Sequence, residues 1–358
     1  MTNWRPLITA LAIGGAGGAA FAWANLPLPW MLGSMSAVTV ASLSGLKPGV
    51  PPRLRTVMIA VLGVMLGSAF SPELIARLPG WSLSLAVLGV AMVLTVALVM
   101  RYLRRFGGCS TVTAYFASAP GGVNEMVLTG AHYGGDDRTI ALIHALRILM
   151  IVFTVPVAFR LANHVQGTSV AQAMGGILQL APMDGLILAG CAIVGAVGAK
   201  LARFPAPTLI GPMLASAILH LSGLTASKPP GELVVVAQVV MGSSLGSRFK
   251  GLSWAEMART ARLALGSTAL MVAISGGAAL ALSYGTGLPF AALMLAFVPG
   301  GIAEMCLVAL ALGQDVAFVS THHVLRVAMV ILAAPLVFRW LQPPLPPASR
   351  SGPGPDRG

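Results

Sequence analysis

Charge is what this chain has least of. Only 22 basic and 10 acidic side chains occur among 358 residues, 9% in all, where a soluble domain carries roughly a quarter. A large soluble fold would need a polar surface that this sequence does not supply. Cysteine is nearly absent too: Cys109, Cys191 and Cys306 form no CxxC pair, so neither a disulfide framework nor a zinc ribbon is expected. The six histidines form no HxH or HExxH arrangement, which leaves a copper, iron or zinc centre without support. No Walker A loop and no dinucleotide glycine fingerprint occur either. The expectation is no cofactor and no metal, with any uphill transport driven by an ion gradient.

What is present is hydrocarbon. Apolar runs of about 15–25 residues, almost free of charge, read as a polytopic helical membrane protein. The formal charge of +12 fits the same reading, because Lys and Arg sit mostly between the apolar runs, as membrane topology places them. Nucleic-acid binding needs a clustered basic face with polar contacts. The expected partners are therefore the lipid bilayer and a small solute with its coupling proton or cation, and no nucleic acid; homo-oligomerisation stays open. The first apolar run lacks a convincing cleavage site and reads as a retained span.

The chain also repeats itself. PGGVNEM, Pro120 to Met126, returns 179 residues later as PGGIAEM, Pro299 to Met305. Each copy is followed by the same landmarks: Asp136 with Asp315, His144 with His323, Arg147 with Arg326, Pro156 with Pro335, and Phe159-Arg160 with Phe338-Arg339. Upstream, LPLPWMLGSM (Leu26 to Met35) recurs as FPAPTLIGPM (Phe204 to Met213), and LGSAF (Leu66 to Phe70) as LGSRF (Leu245 to Phe249). Chance does not place so many unlike residues twice in one order. The reading is a tandem duplication: a first membrane repeat over 1–161, a connector over 162–183, a second repeat over 184–341 and a disordered tail over 342–358, rich in Pro, Ser and Gly.

Spans are expected near 7–24, 28–45, 56–70, 80–100 and 139–160, and again near 185–200, 207–222, 232–247, 261–283 and 317–341. Within 110–133 and 289–312 the broken-helix residues Pro120, Gly121, Gly122 and Pro299, Gly300, Gly301 interrupt the run. At membrane depth such a break persists only where protein or water satisfies the freed backbone groups, so each element reads as two half-helices or a re-entrant hairpin. Basic residues fall before span one and after spans two and four of the first half, but after spans one and three of the second. The opposite phase predicts that one repeat is inverted. The fold class is thus all-α polytopic membrane protein, with two inverted repeats, about ten full spans and two broken elements.

Glu125 and Glu304 are the sharpest site candidates, since a carboxylate at membrane depth must be paired, protonated or wetted, and helix breaks are where transporters bind ions and polar substrates. The bland reading is that both cap a half-helix near an interface. Asn124 is replaced by Ala303 in the second copy, so the half-sites are chemically unequal; Thr111 and Thr129 add hydroxyls to the first half. His144 and Arg147 share one helical face, as do His323 and Arg326. They could hold an anionic substrate, neutralise the glutamates and move protons, or they could be a fixed network locking the broken elements. Asp136 and Asp315 could cap the closing helices or bind a cation at their entrance, with capping the favoured reading. Pro27, Pro29, Pro205, Pro207, Gly33 and Gly211 read as kinks and close packing.

The doubled PGG-x-x-EM with H-x-x-R, together with the doubled P-x-P-x-x-x-G, resembles the membrane AbrB family, built from an AbrB duplication domain and often labelled ammonia monooxygenase or regulator. The resemblance spans about residues 8–342. It implies a multi-pass protein of the bacterial inner membrane, and does not bring in the soluble DNA-binding regulator of the same name, whose β-hairpin module is not visible here. The monooxygenase label is poorly matched by the residues. The function expected is secondary transport of a small polar or anionic solute, proton- or cation-coupled, with its site between the two broken helices and no catalytic residues. The alternatives are a membrane oxidoreductase of the monooxygenase type, which predicts bound transition metal, and a non-transporting membrane protein that regulates gene expression.

Overall fold

A computed structural model describes residues 4–72, 77–163 and 174–341; the tail from 342 and connector residues 164–173 lie outside the described residues. Among these, every regular element is helical. The order is α1 Arg5–Trp23, α2 Pro29–Leu43, α3 Pro52–Gly67, α4 Ser82–Gly107, α5 Thr111–Ser118, α6 Val123–His132 and α7 Asp137–Asn163. It continues with α8 Pro182–Leu201, α9 Pro207–Leu221, α10 Gly231–Gly246, α11 Trp254–Thr286, α12 Phe290–Phe297, α13 Ile302–Ala311 and α14 Val316–Leu341. The first seven are 19, 15, 16, 26, 8, 10 and 27 residues long. The second seven are 20, 15, 16, 33, 8, 10 and 26.

Local chemistry sets these boundaries. Proline occupies the first turn of α1, α2, α3, α8 and α9, where its missing N–H costs nothing and its fixed φ suits the helix. Ser110 caps α5 by accepting from Thr113 N, and Ser253 forms a capping box with Glu256 at α11. Asp136 accepts from Thr139 N at the start of α7, and Asp315 from Phe318 N at the start of α14. Both aspartates cap their helices.

Six helices (α1, α4, α7, α8, α11 and α14) are long and apolar enough to cross a membrane. The remaining four expected spans are α2, α3, α9 and α10, of 15 or 16 residues. At 1.5 Å per residue each is about 22–24 Å long, short of the ~30 Å hydrocarbon thickness.

Packing between the two successions is reciprocal. A Cβ added at Gly63 of α3 would lie 2.5 Å from the Leu209 carbonyl oxygen of α9, and one added at Gly242 of α10 would lie 2.5 Å from that of Met31 in α2. Gly17 meets Gly33 backbone to backbone, and Gly195 meets Gly211 in the same way. Small residues permit this closeness, as in other tightly packed membrane helices, and the expected packing role of Gly33 and Gly211 is what the structure has. The long helices α4 and α11 also touch, with Tyr102 over Gly266 and Gly107 beside Leu263. Rising numbers on one side meet falling numbers on the other, so these two helices run antiparallel.

The interrupted stretches are hairpins. In the first, Phe116 of α5 packs on Gly130 of α6, and Val112 on Gly135 just beyond it; the Asp136 N–H donates to Thr113 Oγ1 (3.0 Å). Entry and exit therefore sit together, and the tip is Pro120–Gly122. The alternative of two successive half-helices in one crossing does not hold for this element. Limbs of 8 and 10 residues reach about 12–15 Å, half of a hydrocarbon layer.

Candidate functional site

The His/Arg pairs are what hold the hairpin tips. Each tip ends a short helix whose last carbonyls have no helical partner. His144 Nε2 meets the Phe116 carbonyl (2.9 Å) and Arg147 Nη1 donates to Ala119 O (2.8 Å). In the second copy His323 Nε2 meets Leu295 O (2.8 Å) and Arg326 Nη1 donates to Val298 O (2.7 Å). Arg326 Nη2 also donates to Gly300 O (2.9 Å) and lies 2.7 Å from His323 Nδ1. A carbonyl can only accept, so the His323 proton sits on Nε2 while Nδ1 accepts from the guanidinium. That imidazole is neutral and both its nitrogens are committed. All four residues are buried.

These cations do not pair with the site carboxylates. Among the described residues the recorded ion pair is Arg138 with Glu256 (3.0 Å), at the surface. Neutralisation of Glu125 and Glu304 by direct ion pairing with Arg147 and Arg326 is therefore not what the geometry shows: each guanidinium donates to backbone carbonyl oxygen instead. The first set is looser than the second. His144 Nδ1 is buried without a partner, where His323 Nδ1 has one, and the Nε atoms of both arginines are unpartnered as well.

Both tips line one cavity of about 420 Å³. Into it face Gly121, Gly122, Asn124 and Glu125 from the first hairpin, Gly300, Gly301, Ala303 and Glu304 from the second, and Arg147 and Arg326 between them. All these site residues predicted from sequence are thus brought together. His144 and His323 bond the tips from outside the lining, Pro120 and Pro299 set the breaks without reaching the cavity, and Thr111 and Thr129 do not line it. Glu125 and Glu304 occupy matching first-turn positions of α6 and α13, where a carboxylate complements the positive helix end. Glu304 is half-buried and folds back over Gly301, while Glu125 is exposed.

Sequence reasoning missed the cavity's outer part. Arg55 and Thr56 in the first turns of α3, Ala206, Pro207 and Thr208 where α9 begins, and Ser244 and Arg248 at the end of α10 complete the wall. Since α3 starts where α10 ends, these two helices run oppositely past the cavity. From sequence Arg55 and Arg248 are simply basic residues between spans, and Pro207 a kink. A signal was available in the neighbouring P-x-P: Ala206 is held at φ +44°, as is Leu28 before Pro29, a strained backbone for a residue with a side chain. The exposed lining residues Pro52, Thr56 and Arg248 mark a mouth on this side, with further basic residues close by in the chain: Lys47 and Arg53 at the approach to α3, and Lys250 just after Arg248. Away from the lining, where α4 and α14 begin, Trp81 packs edge-on against Phe318 (5.3 Å, 87°) and Ser84 Oγ lies 2.9 Å from His322 Nε2.

Among the described residues, an all-helical build with six apolar helices of spanning length and interrupted helices meeting at a cavity that holds charged side chains is that of a membrane-type protein. The chain belongs to the AbrB family: residues 30–342 match the family described as "Transition state regulatory protein AbrB". It is similar to "Uncharacterized protein YhjN" of Bacillus subtilis (strain 168), 27% identical over 354 residues, covering 92% of each chain. It is likewise similar to "Putative regulator AbrB" of Escherichia coli (strain K12), 27% identical over 318 residues, 88% of this chain and 91% of that one.

Proposed function

We propose that this protein is a secondary transporter of a small polar or anionic solute, coupled to a proton or cation, in the bacterial inner membrane. The observation that carries the reading is the cavity into which both hairpin tips deliver a glutamate and an arginine. Its volume falls within the ~300–1,000 Å³ usual for small-molecule sites, and interrupted helices meeting at mid-depth are how many transporters build such a site.

Two inverted repeats, 1–161 and 184–341, are part of the proposal. Support comes from the recurrent sequence blocks, from helix pairs that exchange contacts reciprocally as a two-fold relation requires, and from the antiparallel run of α4 against α11. Each half then contributes five crossings and one re-entrant hairpin, giving ten crossings, the shortness of α2, α3, α9 and α10 being met by local thinning of the bilayer. With the basic residues by the mouth cytoplasmic, the cavity opens inward.

The test is flux. Purified protein in liposomes accumulates its solute when an ion gradient is imposed, and Glu125→Gln and Glu304→Gln each reduce that flux while leaving the elution profile and unfolding temperature in detergent near wild type. Folded protein that moves nothing across a broad solute panel would sink the reading. The name of the E. coli relative favours a regulatory role instead; recovery of one specific protein partner by mild crosslinking, with no flux, would favour that role here.

A further inference from the structure

The cavity is more cationic than the duplicated motifs account for. Four arginines (Arg55, Arg147, Arg248 and Arg326) face two glutamates, with no other charged side chain in the lining among the described residues. Arg326 is consumed by the second tip. Arg147 is 2% exposed and gives one recorded hydrogen bond, to Ala119 O, while its Nε has no partner, so donors remain on a buried side chain that lines the cavity. Arg55 and Arg248 make no recorded ion pair or side-chain hydrogen bond, yet they stand close enough for Arg55 to repel Arg248 and for both to act on the Glu304 carboxylate. Neither arises from the repeated motifs: Val234 and Ala69 occupy the corresponding positions of the other half. The positive end of α9 adds to the same side, since that helix begins in the wall at Pro207 and Thr208.

We infer that the cavity binds a small organic carboxylate, captured between Arg55 and Arg248 at the mouth with Arg147 beneath, and that Glu304 competes with it for those guanidinia. Planar guanidinium forks suit a carboxylate, and an anion between two mutually repelling cations relieves a repulsion that the empty site keeps. The remaining walls select the body of the ligand. Ile59, Ile148, Leu209, Met241, Val327 and Ile331 are apolar, and they favour a hydrocarbon portion over a bare inorganic oxyanion, whose other faces need donors. Glu304 is the internal carboxylate of the same site. The charged or titratable groups near it are Arg55 from α3, Arg248 beyond α10, Cys306 on its own helix, and Arg326 with Glu125 across the cavity. With Glu304 ionised, part of the positive field is already satisfied; with it protonated, the field is free for the incoming anion. One proton is thereby taken up with each carboxylate bound.

This inference rests on the transport reading for its biological meaning, but its test does not. Titration calorimetry on the purified full chain in lipid nanodiscs compares butyrate with butylammonium, which has a similar body and the opposite charge, and with inorganic phosphate. Butyrate is expected to bind, and to bind more tightly than either. Arg55→Gln and Arg248→Gln, both solvent-reachable side chains whose loss need not unfold the protein, should each weaken butyrate about ten-fold or more. Glu304→Gln should tighten it and abolish the proton uptake seen when buffers of different ionisation heat are compared. Preference for butylammonium or phosphate, butyrate affinity unchanged in both arginine variants, or weaker butyrate binding in Glu304→Gln would each overturn the proposal. Arginine-dependent butyrate binding without flux would leave the site standing and remove the transporter; flux confined to a cationic solute would do the reverse.

Discussion

The two interrupted helices share their sequence landmarks but differ in backbone at the tip, in burial and in how firmly the tip is tied. Gly122 opens α6 in the left-handed region, at φ +57°, whereas its counterpart Gly301 opens α13 in extended backbone, at φ −74°. Only Met126 and Gly130 are buried in α6, while Ile302, Ala303 and Met305 to Ala309 are buried in α13. The second tip is tied by Arg326 to two carbonyls and one imidazole, the first by Arg147 to one carbonyl. One sequence motif thus yields a clamped hairpin in the core and a loosely tethered one beside the open cavity. A symmetric blueprint does not oblige the chain to rest in a symmetric state.

The sharpest way to break this comparison is to remove each tether. Arg326→Met leaves a buried carbonyl, a half-buried one and an imidazole nitrogen without their donor, and at ~1–3 kcal/mol per orphaned group it should cost about 3 kcal/mol or more, against ~1–2 kcal/mol for Arg147→Met. Chemical unfolding in detergent measures both, and equal losses would mean that the two tips are equally held. A smaller contrast lies in the glycines. Gly122→Ala places a Cβ on a left-handed residue and should cost ~1–2 kcal/mol. Gly301→Ala meets no such strain, but its methyl overlaps the Glu304 carboxylate and turns that flexible side chain away. Stability should then change little, while carboxylate binding tightens and flux falls. A Gly301→Ala protein with wild-type flux would separate Glu304 from the site.

The smallest contrast is at the caps. Asp136 and Asp315 each accept from the N–H of the third residue on, but Thr139 adds its hydroxyl to Asp136 where Phe318 offers none to Asp315. Either aspartate replaced by alanine should cost ~1 kcal/mol, Asp136 the more. The Thr139 hydroxyl, foremost, holds the Asp136 carboxyl below its ordinary range. Its contribution is therefore complete above about pH 4, the unfolded value, and is lost as pH falls through the lower folded one. Wild type and Asp136→Ala should show the same gap from pH 5 to 8 and converge in stronger acid, and a gap that changes near neutrality would contradict the assignment.

The helices, their breaks and the glutamates that meet at the cavity were legible because each rests on a local rule: proline in a first turn, glycine pairs in an apolar run, a carboxylate where water is scarce. The capping of α7 and α14 was legible for the same reason. The division of labour at the site was not. His/Arg spacing places four side chains on two helix faces, but only the tip geometry decides that they bind carbonyls rather than Glu125 and Glu304. Arg55 and Arg248 sit where topology alone demands positive charge, so their sequence positions look ordinary. Their nearness to Glu304 comes from α3 passing α10 in the opposite sense, a tertiary fact. Likewise the two tips read alike, since nothing in PGGVNEM or PGGIAEM announces that one glycine turns left-handed and the other stays extended.

Glycine at the four crossings Gly17–Gly33, Gly195–Gly211, Gly63–Leu209 and Gly242–Met31 brings main chain against main chain with no side chain between. Surfaces meshed that tightly leave no slack for sliding, tilting or the insertion of even one methyl. The block formed by α1–α3 with α8–α10 therefore behaves as a chassis. If the protein transports as proposed, the change that turns the chamber from one side of the membrane to the other would fall to the hairpins and to α4, α7, α11 and α14, moving against that block.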